Sequence, residues 1–290
     1  MKQWGSMKVD KIVELIRETS SSLPDDVLKA LRRALRKEGR GSSAAVVLKT
    51  ILDNCAIAAK RGTPLCQDTG TLTFFVDERL RGKVTPSVLK KAVAIATERG
   101  YLRKNTIDSL TGKSYDDNCA EGAPVVHYRG SSCHGGARSS RPTVTLVMKG
   151  GGSENMSRQY SLPDATLGAG RDLAGVRKCV LDAVQRIQGY GCAPGILGVC
   201  IGGDRATGFE TAKLQLLRPL DEAESSTPQL HNLEKRILRE ANTLGIGPMG
   251  LGGKTTLLGV KIAARPRVPA SFFVTVAYLC WAARRRTIAL

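Results

Sequence analysis

Aromatic residues make up only 4% of this 290-residue chain, so its core must rest on Leu, Val, Ile and Ala, and the aromatic interleaving on which nucleic-acid bases stack is missing. Met1 to Asp10 has no continuous apolar stretch of the kind a signal peptide carries. The longest apolar run, Val268 to Ala283, is interrupted by Pro269, Ser271 and Thr275 and falls short of the roughly 18–20 residues of a spanning helix. Its alternating Phe273-Val274-Thr275-Val276 favours a buried strand, and the expectation is a soluble, cytoplasmic protein that does not engage a membrane. No two of the eight cysteines (55, 66, 119, 133, 179, 192, 200 and 280) have CxxC spacing, which excludes zinc-ribbon and thioredoxin-type motifs. Without a secretory signal, disulfides are not expected either. Two readings remain open: small buried hydrophobes, or ligands gathered by folding.

What the chain has in excess is positive charge, +18 at neutral pH. A field of that sign attracts anions: nucleic acid, an anionic membrane, or small acidic substrates. The basic residues are spread along the chain, and only Arg284-Arg285-Arg286 forms a run, so most of the charge reads as solvated surface. The 31 glycines cluster between apolar segments and mark tight turns or close backbone approaches.

Val9, Ile12, Val13 and Ile16 occupy one face of a helix over Val9 to Thr19. Pro24-Asp25-Asp26 opens a second helix, with proline and acids in its first turn, and Ser43 to Lys60 forms a third. Arg61-Gly62-Thr63-Pro64 ends it, and a polar loop from Leu65 to Gly70 follows. Strands are expected at Thr71 to Val76, Val125 to Tyr128 and Thr143 to Lys149, with a helix from Pro86 to Gly100. Then come helix 173–188, strand 196–201, helices 207–217 and 229–244, a glycine-rich loop 245–253, and strands 257–263 and 271–280. This mixture implies an α/β or α+β fold: one domain over 1–290, with a helical lobe (1–62) packed on a mixed-sheet core (63–290). The basic, Gly- and Ser-rich stretch 129–142, with Cys133 and His134, has no hydrophobic period and reads as a loop.

Two glycine motifs mislead. Gly245-Ile246-Gly247-Pro248-Met249-Gly250 matches G-x-G-x-x-G, but it follows a helix and precedes a strand, the reverse of a dinucleotide turn. Gly253-Lys254-Thr255 resembles the end of a P-loop, yet Pro248 stands where its first glycine is required. The loop still offers backbone donors and Lys254 to an anion.

Three cysteines differ from the rest. Cys66 sits in a polar loop before Gln67 and Asp68, Cys192 in the turn Tyr190-Gly191-Cys192-Ala193-Pro194-Gly195, and Cys280 at the end of the last predicted strand. Each lies at the end of an element, where a cluster could reach it. Cys55 and Cys179 fall inside helices and Cys200 inside a strand, as packing thiols do. Three thiolates on a [4Fe–4S] cluster leave one iron free to act as a Lewis acid on a substrate hydroxyl and carboxylate.

Pro64-Leu65-Cys66-Gln67-Asp68-Thr69-Gly70 resembles the first signature of the class I fumarase and L(+)-tartrate dehydratase family. So do Lys149-Gly150-Gly151-Gly152-Ser153-Glu154-Asn155, the segment from Gly191 to Asp204, and that from Leu244 to Thr256. Pro269 to Arg285 is similar to the ending of the family's separate α subunit. The resemblance implies an iron–sulfur hydro-lyase subunit that hydrates fumarate reversibly to malate, with an oxygen-sensitive [4Fe–4S] cluster on Cys66, Cys192 and Cys280. Gln67 and Asp68 would lie beside the substrate, and Asp68 would orient it or move a proton. Arg103 would pair with a substrate carboxylate, with Gly150, Gly151, Gly152 and Lys254 completing the anion site. A separate β subunit, in an α2β2 assembly, would supply the remaining residues, so that this chain alone is inactive. Ser153-Glu154-Asn155 tilts the resemblance towards fumarase over tartrate dehydratase. The alternative from another class is a basic nucleic-acid-binding or assembly protein without activity. Two features depart from the family: Val268 stands where many members have a histidine, and stretch 129–142 is basic. His127 suits a half-buried strand position.

Overall fold

The computed structural model describes residues 2–130, 141–221 and 227–290. Cys133, His134 and most of the basic stretch 129–142 lie outside the described residues. The chain divides into two compact units.

The first unit comprises Met1–Pro24, Asp53–Gly151 and Ala282–Leu290. At its centre is a four-stranded sheet in the order β2-β1-β3-β8. Strand β1 (Thr71–Asp77) pairs in parallel with β2 (Val125–Arg129) and antiparallel with β3 (Thr143–Lys149). Strand β8 (Arg284–Ala289) pairs antiparallel with β3, setting Arg284 opposite Met148. Helices α1 (Lys2–Ser21) and α4 (Pro86–Glu98) pack against each other, and α1 also packs against β3 and β8. The apolar stripe read from the sequence is the buried face: Ile12, Val13 and Ile16 join Phe74, Val76, Leu89, Leu146 and Met148 in one core. Helix α4 opens on Thr85, whose hydroxyl accepts from the Val88 N–H, with Pro86 in the first turn where its missing N–H costs nothing.

The second unit comprises Asp25–Leu52 and Gly152–Trp281. Its sheet runs β4-β7-β5-β6. Strand β5 (Gly195–Gly202) lies parallel to β6 (Leu257–Arg265) and antiparallel to β7 (Phe273–Leu279), and β4 (Arg158–Ser161) adds to the far edge of β7. Alternation along β5 sorts its side chains between two faces. Leu197, Val199 and Ile201 share a core with α6 (Leu173–Ile187) and α8 (Pro228–Ala241). Gly198, on the opposite face, meets α7 (Arg205–Gln215) so closely that a β-carbon there would overlap the Ala212 carbonyl. Asp204 caps α7, its carboxylate accepting from the N–H groups of Ala206 and Thr207. Helix α2 (Asp25–Lys37) belongs with this unit and packs against β6. Helix α3 (Ser43–Arg61) is divided at Leu52/Asp53, so the helices of residues 1–62 are shared between the two units.

The architecture is the mixed α/β class expected, and every strand and helix of the sequence reading has its counterpart, the largest difference being the first helix, which begins at Lys2 where Val9 was expected. Among the described residues, β4, β8, the short helix α5 (Gly151–Asn155) and the single 3-10 turns Glu78–Leu80 and Pro248–Gly250 escaped it. No helix among the described residues is long and apolar enough to cross a membrane.

Candidate functional site

The Cys66 loop begins where α3 stops. Gly62 takes a positive φ of 65°, and the Thr63 N–H reaches back to the Ala58 carbonyl. Buried Leu65 anchors the loop: its N–H donates to the Ser20 carbonyl at 2.9 Å and its carbonyl accepts from the Asn54 amide at 3.0 Å. Cys66 is half-buried, Gln67 exposed and Asp68 half-buried. Gly70, at φ 74°, lies so close to the Lys149 carbonyl that any β-carbon there would overlap it. The Asp68 carboxylate rests against Gly150: a β-carbon on Gly150 would stand 2.7 Å from Oδ2 and 3.1 Å from Cγ. Arg284, 1% exposed at the start of β8, donates from Nη2 to the Asp68 carbonyl at 2.7 Å.

The Arg103 segment is held to this loop by side chains that the sequence reading passed over. Buried Thr69 accepts the Arg103 N–H on its hydroxyl at 3.2 Å. The Asn105 amide oxygen accepts from the Thr69 N–H, the Gly70 N–H and the Thr69 hydroxyl, each at 3.1 Å. Asn118, 3% exposed and at φ 59°, is the hub. Its oxygen accepts from the N–H groups of Asn105 (2.8 Å) and Thr106 (3.0 Å), and its amide donates to the Arg103 carbonyl (2.9 Å) and the Thr97 hydroxyl (3.0 Å). No periodicity could have singled out these three residues. Only the left-handed tolerance of asparagine hints at the role of Asn118.

Together these segments line a cavity of about 410 Å³ whose walls include Gln67, Asp68, Gly70, Arg103, Asn105, Asn118 and Gly151. A carboxylate, an exposed guanidinium, an amide and glycine backbone thus converge on one concave surface. That set suits a small polar anion carrying its own donors. Gly152 opens onto solvent at α5 in the second unit. Lys254 is also in the second unit, where its backbone N–H donates to the Glu38 carboxylate at 3.0 Å and its side chain is exposed.

In the second unit Cys192 and Cys280 lie in adjoining turns. Ile196 of β5 pairs with Leu279 of β7, and the Trp281 N–H donates to the Cys192 carbonyl at 3.3 Å. Cys192 sits at φ 53°, a conformation rare for a non-glycine residue and concentrated at functional sites. The misleading glycine loop supports this turn. The Met249 N–H donates to the Ala193 carbonyl at 2.8 Å, and Gly189 and Gly250 allow the two backbones to touch. The Cys280 N–H donates to the Ser153 hydroxyl at 3.2 Å. Both cysteines, like Cys66 in the first unit, are half-buried. Cys55, Cys179 and Cys200 are fully buried, and loss of solvation pushes their thiols up to about 11, 12 and 11. They stay protonated and serve as packing groups. His127 stacks on Phe75 with ring centroids 5.2 Å apart, as its half-buried strand position implies.

A family model, Fumarate hydratase (Fumerase), matches residues 9–289. The chain belongs to this family. It is 47% identical over 284 residues to a protein of Geobacillus stearothermophilus named as a class I fumarate hydratase, covering 95% of this chain and 53% of the relative. It is also 34% identical over 285 residues to a protein of Methanocaldococcus jannaschii named as an L(+)-tartrate dehydratase subunit alpha, covering 96% of each. To the L(+)-tartrate dehydratase subunit alpha of Escherichia coli K12 it is 30% identical over 287 residues, covering 97% of this chain and 91% of the relative. The chain thus spans about half of the Geobacillus relative and nearly all of the two subunits.

For a metal cluster the donors are of the right kind, half-buried thiols at element ends. Among the described residues no three or more His, Cys, Asp or Glu side chains form a group that could hold a metal ion. Within the second unit, however, the turn that carries Cys192 packs on a buried phenol, Tyr278, whose hydroxyl has no hydrogen-bond partner among the described residues. Such an orphan is expected where a further acceptor belongs.

Proposed function

We propose that this chain is the α part of a class I fumarase-type hydro-lyase, in which a separate β chain completes the site for reversible hydration of fumarate to malate. The observation that carries the reading is the cavity on which Gln67, Asp68, Arg103 and Gly151 converge, within a chain that matches the fumarate hydratase family over 9–289. The names of the two tartrate dehydratase subunits, matched nearly end to end, support a two-chain organisation. The half-length match to the Geobacillus protein is consistent with the second half of the site residing elsewhere.

Cys66, Cys192 and Cys280 are the ligands we assign to the [4Fe–4S] cluster that the family resemblance implies. When bound, it supplies a Lewis-acidic iron for a substrate hydroxyl. Arg103 binds one carboxylate of the dianion through its planar guanidinium. Gln67 hydrogen-bonds the substrate, and Asp68 orients it or exchanges a proton at its carboxylate. The bare backbone at Gly150 and Gly151 admits the anion closely, with Gly152 and Lys254 adding donors. The positive charge of the chain draws the dianion in, and the setting is cytoplasmic.

The test is anaerobic co-expression with the candidate β chain, analysis for iron and sulfide, and assay on both fumarate and L(+)-tartrate. A brown preparation that hydrates fumarate is expected. Dehydration of tartrate alone would transfer the chain to the tartrate branch. A colourless preparation that takes up no cluster on reconstitution would remove the assignment.

A further inference from the structure

Tyr278 lies among the apolar residues of the second unit's core, 1% exposed. Its ring is wedged beneath the Cys192 turn. A β-carbon on Gly195 would overlap the end of the ring and its hydroxyl, and one on Gly191 would overlap its edge. The two glycines that bracket Cys192 therefore have a specific purpose: they let an aromatic ring press against the backbone of the cysteine turn. Cys280 is the second residue after Tyr278 and the first beyond β7, and it packs against the same core cluster as Tyr278. Tyr278 thus underlies the Cys192 turn and lies two residues before Cys280.

The hydroxyl has no hydrogen-bond partner among the described residues. Burying such a group unsatisfied destabilises the fold, and phenylalanine would fill the same slot without that cost.

We propose that Tyr278 is a positioning residue that donates a hydrogen bond to a sulfur of the cluster assembly bound by Cys192 and Cys280. The inference rests on the cluster reading above. A donor aimed at sulfur withdraws negative charge and favours the reduced cluster, a lever by which proteins set iron–sulfur potentials. It also explains why a polar end is retained in an apolar slot: the hydroxyl is orphaned only until the cluster is present.

The test compares wild type with Tyr278→Phe as the full chain with its β partner, loaded anaerobically. Removing the donor is expected to move the cluster potential negative by about 59 mV, a tenfold change in a one-electron equilibrium. In the cluster-free protein Tyr278→Phe is expected to melt at or above the wild-type temperature, because only an unsatisfied hydroxyl is lost. Should the loaded Phe variant prove unstable, difluorotyrosine at 278 keeps the shape, strengthens the donor and should move the potential positive. If wild type carries a cluster and neither replacement shifts its potential, the Tyr278 proposal is overturned while the cluster reading stands. A lower melting temperature of cluster-free Tyr278→Phe would likewise overturn it, by assigning the hydroxyl a structural bond. If wild type takes up no cluster, the functional reading itself has failed.

Discussion

Gly150→Ala isolates the contact on which the proposed chemistry depends. Gly150 follows β3 and is not among the glycines of positive φ, so alanine fits its backbone and the effect is purely steric. The added carbon would stand 2.7 Å from Asp68 Oδ2, where ordinary contact begins at 3.4 Å. The carboxylate must therefore retreat by about 0.7 Å. The backbone beneath it cannot follow easily, because the Arg284 guanidinium holds the Asp68 carbonyl at 2.7 Å and the next two residues are fixed through Asn105. The side chain yields instead, at roughly 0.5–1.5 kcal/mol for an off-rotamer torsion.

Because Asp68 is only half-buried, we expect the melting temperature of the α chain to fall by no more than a few degrees. Catalysis is less tolerant: a misplacement approaching 1 Å can cost about 100-fold. A 10- to 100-fold fall in kcat for fumarate hydration by the assembled pair, with near-normal cluster content and a smaller change in KM, is the expected outcome. It is read from the ultraviolet absorbance of fumarate. Wild-type kcat/KM in a correctly folded Gly150→Ala protein would refute the reasoning, since the carboxylate position would then be immaterial.

Asn118→Ala should be worse for folding than for chemistry. It removes four hydrogen bonds of a buried side chain and forces alanine into φ 59°, a loss of about 3–5 kcal/mol in a urea melt, with KM rising more than kcat falls as the Arg103 segment loosens. Serine in place of Cys66, Cys192 or Cys280 should abolish iron binding and activity. Cys179→Ser should leave both intact; wild-type iron content in any of the first three would remove that residue from the ligand set. Stability should also fall in alkali. The folded-state pKa values of Cys55, Cys179 and Cys200 are raised to about 11, 12 and 11 from 9.0, so their contribution is full below pH 9 and is lost as pH rises towards 11–12. Cys179→Ala should flatten that slope in denaturant melts between pH 9 and 11, and an unchanged slope would contradict it.

The elements that the sequence announced are those whose burial follows a period. Val9, Ile12, Val13 and Ile16 repeat at helical spacing, and β5 and β7 are apolar on both faces because each is covered on both. Strand β8 was hidden because it opens with Arg284-Arg285-Arg286, which reads as a solvated charge run. In the fold Arg284 and Arg285 are 1% and 9% exposed, and Arg286 pairs with Glu18 at 3.2 Å and donates to the Ser22 hydroxyl at 2.8 Å. Helix α5 was hidden because Gly151-Gly152-Ser153-Glu154-Asn155 has almost no intrinsic helical preference. Of the residues that the family resemblance singles out, Gln67, Asp68, Arg103 and Gly151 line one cavity. Thr69, Asn105 and Asn118 were not legible, because a polar side chain that holds backbone in place has no pattern until the segments it joins are brought together.

The glycines make the same point from the other side. A count of 31 is compatible with many loops, and two of the local motifs imitate nucleotide-binding turns. In the fold the work of particular glycines is the exclusion of a β-carbon from one contact. Gly70 lets the loop after Cys66 lie on the Lys149 carbonyl, Gly150 leaves room for the Asp68 carboxylate, Gly189 and Gly250 bring the 245–253 loop against the Cys192 turn, and Gly191 and Gly195 seat the Tyr278 ring. The G-x-G-x-x-G look-alike therefore supports a cysteine turn. A glycine motif acquires meaning from the atom that stands where its side chain would have been: some of these close approaches shape the loops of Asp68 and Cys192, and others, such as Gly198 on the Ala212 carbonyl, seat core elements. Because alanine at Gly150, Gly191 or Gly195 perturbs one defined contact and leaves every polar group in place, these substitutions are sharper probes of the two loops than removal of the polar residues themselves.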